Sequence, residues 1–170
     1  MQYKMRQRIL TLSDRFDIAD ASDQVCYQVQ GKLLSFGKKL FLRDAQGKDL
    51  YYIKQKLFRF LPEYEIFHQN EVVLRVKKRF SFFRPKFDVF AADGTWEIEG
   101  NFMDHEYALR RNGVLLAQIS KAYFTLRDTY GINIQDDVDF DPAAIIALAI
   151  VIDMVCHERR NRGLHINVGG

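Results

Sequence analysis

A basic and aromatic stretch near the middle of the chain holds the residues best suited to bind a ligand. They are Arg75, Lys77, Lys78, Arg79, Phe82, Phe83, Arg84 and Lys86. Arg75, Lys77 and Arg79 alternate, so on a β-strand they would share one face, and such a row of cations could hold phosphate groups. Phe82 and Phe83 could insert among acyl chains or stack on bases. The alternative is a solvated strand face beside phenylalanines of the core.

The charge distribution along the chain favours a basic surface in this region. The 170 residues include 25 Lys and Arg against 22 Asp and Glu, and the net charge of +3 is too weak to imply nucleic-acid binding by itself. Between residues 54 and 86, however, nine residues are basic and three are acidic. Other basic residues would extend the surface if their strands were neighbours, namely Lys38, Lys39, Lys54, Lys56 and Arg59.

A second candidate site is the acidic segment that precedes the last apolar run. Asp137, Asp139 and Asp141 occupy the first, third and fifth places of a calcium-binding loop, in which carboxylate oxygens converge on one cation. The rest of the pattern fails, because Pro142 and Leu148 replace the Gly and Glu that an EF-hand needs. The alternative is a turn followed by a helix, with Asp141 capping free backbone N–H groups and Pro142 in the first helical turn.

The sequence contains no active-site pattern that we can identify. A Gly-x-Ser-x-Gly nucleophile elbow and a Gly-rich phosphate loop are missing, and His105 lacks the second His of a His-Glu-x-x-His zinc site. Glu97 and Glu99 would share a strand face as a general acid and base do, but their alternation with Trp96 is typical of a solvated face. We therefore predict that the protein is not an enzyme and needs no cofactor.

The cysteines and the apolar runs predict a cytoplasmic protein that does not span the membrane. Cys26 and Cys156 lack the paired spacing of a zinc site or a disulfide framework, which favours a reducing compartment. The N-terminal residues lack the continuous apolar run of a secretory signal. The longest apolar run, residues 142–152, is much shorter than the ~20 residues of a typical transmembrane helix.

Up to about residue 135 the side-chain pattern predicts β-strands. Apolar and charged residues alternate in short runs, and Asp-Gly and Asn-Gly pairs between the runs tolerate the positive φ of tight hairpin turns. We predict strands at 3–12, 14–19, 25–31, 40–44, 50–57, 63–68, 71–80, 86–91, 95–101, 106–111, 114–120 and 124–134. About twelve short antiparallel strands indicate a sandwich or a barrel, and closure into a barrel removes the exposed edges.

The period changes after the acidic segment, and residues 141–160 are predicted to form a helix, followed by a short tail at 161–170. The helix is apolar nearly all round until about Asp153, so protein or lipid must enclose it. It would be roughly 30 Å long, enough to thread a barrel from end to end. We therefore place it inside the barrel, with membrane insertion as the rival interpretation. For Asp153 we expect a position at the barrel mouth or a partner such as Arg159.

Several stretches resemble bacterial proteins of the LURP-one-related (LOR) family. They are RQRILTLSDRF (residues 6–16), VQGKLLSFGKK (29–39), IKQKL (53–57), LPEYEI (61–66) and FRPKF (83–87). The resemblance extends over essentially the whole chain and implies a single domain, residues 1–170, with a tubby C-terminal-like fold. That fold is a closed barrel of twelve antiparallel strands around one buried hydrophobic C-terminal helix, and phospholipid scramblases share it.

The resemblance also implies a partner, because tubby domains bind phosphoinositides and scramblases act at membranes. No lipid-contacting position of those proteins can be assigned to a residue of this chain. We predict a non-enzymatic binding or scaffold domain whose basic face engages an anionic phospholipid or membrane surface, peripherally from the cytoplasm. One alternative is a nucleic-acid or transcription-related binding module that uses the same surface, although helix-turn-helix and RNA-binding signatures are missing. The other alternative is an enzyme with an unfamiliar site.

Overall fold

The computed structural model describes residues 1–6, 15–32, 35–92, 94–123, 129–137 and 139–163. The strands are β1 (Gln2–Arg6), β2 (Arg15–Asp20), β3 (Val25–Gly31), β4 (Lys39–Asp44), β5 (Asp49–Gln55), β6 (Glu63–His68), β7 (Glu71–Arg79), β8 (Lys86–Ala91), β9 (Gly94–Asn101), β10 (Glu106–Arg111), β11 (Val114–Ser120) and β12 (Thr129–Ile134). The helix α1 (Pro142–Gly163) follows them. Short 3₁₀ helices at Phe102–Asp104 and Lys121–Tyr123 lie in the connections after β9 and β11.

The twelve strands form one closed antiparallel barrel, as the alternation and the resemblance predict. Each strand pairs with its neighbours in the chain, and β1 closes the ring by pairing with β12. Because successive strands run in opposite directions, the connections after odd-numbered strands lie at one end of the barrel. We call this the long-loop end, since its connections include residues 32–38, 56–62 and 80–85. At the other end, the short-turn end, two to four residues join each even-numbered strand from β2 to β10 to the next strand.

Positive backbone φ angles make the short turns tight. Gln69 and Asn70 have φ of 46° and 71°, and Asn112 and Gly113 have φ of 51° and 78°. Two successive residues of positive φ are typical of a type I′ turn, whose twist matches that of the flanking strands. The turns predicted at both places are confirmed.

The predicted strands agree with the observed ones to within two residues wherever both ends are described. Alternation located them well because each strand has one face toward the core and the other toward water. Residues 7–12 of the first predicted strand and 124–128 of the last lie outside the described residues. The two 3₁₀ helices are absent from the prediction, since three residues are too few to show a period.

The start of α1 confirms the predicted cap. Asp141 accepts hydrogen bonds from the backbone N–H of Ala143 at 2.9 Å and from the hydroxyl of Tyr51 at 2.7 Å. Tyr51 lies near the start of β5, so the helix enters the barrel at the short-turn end.

The helix then runs through the barrel to the long-loop end. Asp153 contacts His105, which belongs to the connection between β9 and β10 at that end. All the side chains from Ala143 to Cys156 are buried, so the predicted position inside the barrel is confirmed. Among the described residues, no helix has the length and apolar character needed to cross a membrane.

Candidate functional site

The outer face of β7 carries the predicted row of basic residues. Arg75, Lys77 and Arg79 are exposed, whereas Leu74 and Val76 between them point into the core. The alternation of the sequence therefore predicts the direction of these side chains correctly.

Lys78, which also belongs to the predicted ligand-binding set, does not share the exposed face of β7. Lys78 continues the inward series of Leu74 and Val76 and is only 6% exposed. Its backbone N–H donates to the carbonyl of Pro62 at 3.0 Å, which ties the end of β7 to the connection before β6. Neighbours in a strand point to opposite faces, so Lys78 lies outside the exposed row of Arg75, Lys77 and Arg79.

Acidic side chains of β6 and β8 neutralise much of the basic row. Arg75 Nη2 lies 3.1 Å from Glu65 Oε1, and Arg75 Nε lies 3.8 Å from Glu63 Oε1. Arg79 Nε lies 3.5 Å from Asp88 Oδ1. The middle of the strand face is therefore a network of alternating charges rather than a continuous basic strip, and screened pairs of this kind stabilise the fold by only ~0–1 kcal/mol each.

The basic residues expected to extend the surface lie on β4 and β5 and in the connections before β4 and after β5, and β6 separates those two strands from β7. Lys39 on β4 is opposite Lys54 on β5, and Lys54 is opposite Glu65 on β6. Lys56 Nζ lies 3.2 Å from Glu65 Oε1, and Arg59 Nε lies 3.4 Å from a carboxylate oxygen of Glu63. Glu63 and Glu65 are thus shared by cations of the connection after β5 and of β7.

Toward the long-loop end the cations of the surface outnumber its carboxylates. In the described part of the chain, Lys77, Arg84 and Lys86 have no ion-pair partner within 4 Å. Beside them lies a shallow depression of about 450 Å³, lined by Lys77, Lys78, Arg79, Lys86 and Asp88 together with the apolar Leu61 and Phe80. Four cations and one carboxylate around an open concavity give it a positive field suited to an anionic group.

Phe82 and Phe83 are not core residues. They are 81% and 96% exposed, at the tip of the connection between β7 and β8. Their loop is well formed, because Phe80 and Phe82 pack edge to face at 5.0 Å and Ser81 Oγ donates to the carbonyl of Arg84. The alternative of inward-facing phenylalanines is therefore excluded for this loop.

Three further exposed phenylalanines lie at the same end of the barrel and are missing from the predicted site. Phe36 belongs to the connection between β3 and β4, and Phe58 and Phe60 belong to the connection between β5 and β6. Each lies within two residues of a Lys or Arg, as Phe82 and Phe83 do. That local pattern was visible in the sequence, but its meaning depends on the barrel topology, which brings the three connections together.

The acidic segment acts as a turn and cap. Asp141 is engaged by Tyr51 and by the helix N-terminus, and the Asp139 carbonyl accepts a hydrogen bond from Arg111 Nη2 at 3.4 Å. In the part of the chain that the structure describes, Asp137, Asp139 and Asp141 do not form a group of three ligands that could hold a metal.

A buried pair of ionisable residues lies inside the barrel, and the sequence analysis did not find it. His105 Nε2 and Asp153 Oδ1 lie 2.6 Å apart, and both residues are only 2% exposed. Asp153 was expected at the barrel mouth or beside Arg159, whose side chain lies outside the described residues, and the observed partner is His105. The two residues are 48 positions apart, so no local pattern could join them.

Two buried tyrosines surround this pair. The His105 ring stacks on Tyr130 at 4.3 Å. Burial raises the pKa of Tyr107 and of Tyr130 well above the ordinary value, and the Asp153 carboxylate raises both further. Neither hydroxyl has a hydrogen-bond partner among the described residues. All four residues are enclosed by the barrel wall.

Two further surface depressions have volumes of about 430 and 400 Å³. The first lies beside Asp17 and Asp23, and the second beside Asp137 and Asp139. Neither combines a Ser or Cys nucleophile with a His among its lining residues. Glu97 and Glu99 lie exposed on the outside of β9, as expected for a solvated face.

Comparison with known proteins agrees with this architecture. A family model described as LURP-one-related matches residues 1–153. The uncharacterized protein YxjI of Bacillus subtilis (strain 168) is 32% identical over 160 residues, which cover 94% of this chain and 96% of that protein. An X-ray structure of an Arabidopsis thaliana protein superimposes with a TM-score of 0.65 over 91% of each chain at 17% identity, which establishes a shared fold. The chain therefore belongs to the LURP-one-related family.

Proposed function

We propose that this protein is a binding domain that associates with anionic phospholipid surfaces. The observation that carries the proposal is the surface around the connection between β7 and β8. There, Lys77, Arg79 and Lys86 line a shallow depression. In the adjoining connection between β7 and β8, Arg84 is exposed, and Phe82 and Phe83 project into solvent.

This combination suits a lipid better than a purely ionic ligand. The lysines and arginines can pair with a phosphate, and each basic residue near an anionic membrane contributes about 1 kcal/mol of binding. Exposed phenylalanine rings are unfavourable in water and gain free energy when they enter the boundary between headgroups and acyl chains. A nucleic acid would be bound by the same cations. The two ligands are therefore distinguished by whether substitution of the exposed phenylalanines weakens binding.

Sedimentation with vesicles tests the proposal. We expect retention on vesicles that contain phosphatidylserine, loss of retention on phosphatidylcholine alone, and weaker retention as the ionic strength rises. Lys86→Glu removes one positive charge and adds a negative one, so it should weaken retention by about 2 kcal/mol, roughly 30-fold.

Lys48→Glu is the matched control, because Lys48 is equally exposed but lies in the turn between β4 and β5 at the short-turn end. It should leave retention nearly unchanged. Failure of the wild-type protein to sediment with the anionic vesicles at low ionic strength would refute the proposal. The nucleic-acid alternative would be favoured if the protein bound duplex DNA, supplied at the same concentration of negative charge as the vesicles, and if Phe83→Ser left that binding unchanged.

A further inference from the structure

Exposed phenylalanines are concentrated at one end of the barrel. Among the described residues, seven phenylalanines are exposed, and all but Phe90 lie in three connections of the long-loop end. The six are Phe36, Phe58, Phe60, Phe80, Phe82 and Phe83. Soluble proteins seldom expose so many large apolar side chains together, so this end is suited to contact an apolar phase.

The three connections are joined into one surface. Leu57 lies against the backbone of Gly37, and the backbone N–H of Lys38 donates to Gln55 Oε1 at 3.0 Å. On the other side, Leu61 and Phe80 line the same depression. The first two connections are therefore in direct contact, and the second is tied to the end of β7 by the hydrogen bond between Lys78 N–H and the Pro62 carbonyl.

Charge distinguishes the two ends of the barrel. Among the described residues, the connections at the long-loop end include six basic residues and one acidic residue, Asp104. The described residues of the connections at the short-turn end include five Asp and one Lys. The phenylalanines thus coincide with the end that an anionic surface attracts, and the opposite end is repelled by such a surface.

The shape of the surface indicates a bilayer as its partner. The rings of Phe58, Phe60 and Phe83 are almost fully exposed, so they stand away from the barrel and do not line a groove into which a peptide or helix would fit. Separate rings on neighbouring loops, with Lys and Arg between them, match an interface in which apolar side chains enter the acyl boundary and cations remain among the headgroups.

We propose that the barrel docks end-on, with all three phenylalanine-bearing connections inserted into the interface of an anionic bilayer. This inference rests on the proposed function and extends it, since it assigns Phe36, Phe58 and Phe60 to the contact and excludes a side-on contact through the face of β7. In this orientation the barrel axis lies along the membrane normal. The C-terminal end of α1 faces the lipid, and the acidic short-turn end faces the solvent.

Tryptophan substitution combined with brominated lipids tests the orientation. Phe36→Trp, Phe58→Trp and Phe83→Trp each place a reporter on one of the three connections, and Phe90→Trp places a matched reporter on the barrel wall. The native Trp96 is buried and supplies the wild-type background. With vesicles containing phosphatidylserine and brominated phosphatidylcholine, we expect a blue shift and quenching of the reporters at 36, 58 and 83, and neither at 90.

Retention of the Phe→Ser variants supplies the second readout. Phe58→Ser combined with Phe60→Ser should weaken retention about tenfold, and Phe90→Ser should not, while thermal unfolding of all variants stays near that of the wild type because the rings are exposed. If the protein binds the vesicles but Phe90→Trp is quenched, or only Phe83→Trp is, the end-on inference is wrong and the proposed function stands. If no vesicle binding occurs, both are wrong.

Discussion

At the scale of single residues, the enclosed pair of His105 and Asp153 is the most unusual feature of this barrel. A carboxylate in an apolar interior is strongly unfavourable unless a partner compensates it, and here the partner comes from a different element. His105 also has a left-handed φ of 55°, which turns the connection after β9 inward at this position. The pair therefore links the helix to the barrel wall.

Removing Asp153 tests the contribution of this link. We expect Asp153→Ala to lower the free energy of unfolding by about 3–5 kcal/mol, because it leaves His105 without its buried partner. Asp153→Asn keeps the shape and a hydrogen-bonding oxygen, so it should cost less. Urea denaturation provides the measurement, with the exposed Asp137→Ala expected within about 0.5 kcal/mol of the wild type. A loss for Asp153→Ala as small as that of Asp137→Ala would contradict this role.

The raised pKa of Tyr107 and of Tyr130 predicts a dependence on alkaline pH. Both phenols are neutral in the folded state, and their pKa is higher there than in the unfolded chain, where it is about 10. The stability they contribute is fully present below pH about 10 and is lost as the pH rises above that value. Tyr107→Phe with Tyr130→Phe should therefore resist alkaline unfolding better than the wild type.

Near neutral pH the same double substitution should be neutral or slightly stabilising, because the hydroxyls have no partner among the described residues. Thermal unfolding measured between pH 7 and 11 compares the two proteins. Parallel loss of stability in both above pH 10 would show that other groups govern the alkaline transition.

At the scale of elements, the positions of the strands could be predicted from the sequence. The residues that lie opposite each other on adjacent strands could not. Alternation predicted that Arg75, Lys77 and Arg79 point outward, because a half-buried strand needs a polar and an apolar face. It could not reveal that Glu65 and Asp88 lie beside them, since cross-strand register depends on turn lengths and on small irregularities. Lys78 points to the opposite face from this row, although it lines the depression near the end of β7.

The helix start offers a test at the same scale. Asp141→Ala removes the cap of α1 and the acceptor for Tyr51, and we expect a loss of about 1–2 kcal/mol in the free energy of unfolding. Asp139→Ala is the matched control, because that side chain is exposed and only its backbone carbonyl is used. If calcium raises the melting temperature of the wild type and Asp139→Ala abolishes the effect, the acidic segment holds a cation in addition to its capping role.

At the scale of the whole molecule, the barrel and its helix are one cooperative unit. The apolar surface of α1 has no other place to be buried, and the interior of the barrel would be empty without it. Amide exchange measured by mass spectrometry or NMR should therefore show the amides of residues 146–156 exchanging only through global unfolding. Faster exchange in this segment than in β5 and β6 would mean that the helix leaves an intact barrel.

The charge asymmetry of the two ends also belongs to this scale, and it explains why the ligand-binding surface was only partly predictable. The identity of each phenylalanine and each charged residue is known from the sequence, but only the antiparallel order of the strands places Phe36 and Phe83 at the same end of the barrel. A prediction of the ring order would have been sufficient to find the three connections. The pairing of His105 with Asp153, by contrast, depends on how far the helix is inserted into the barrel and on how it is rotated about its own axis. The periodicity of the sequence indicates neither.

Closure between β1 and β12 sets the order of events during synthesis on the ribosome. β1 pairs with β2 and β12, and it remains without β12 until more than a hundred further residues have been translated. The growing sheet therefore has an open seam, and the apolar helix that fills the interior of the barrel is translated after the strands. Chaperones that shield unpaired strand edges would act in this interval. Synthesis of the C-terminal segment is the step after which those edges no longer promote aggregation.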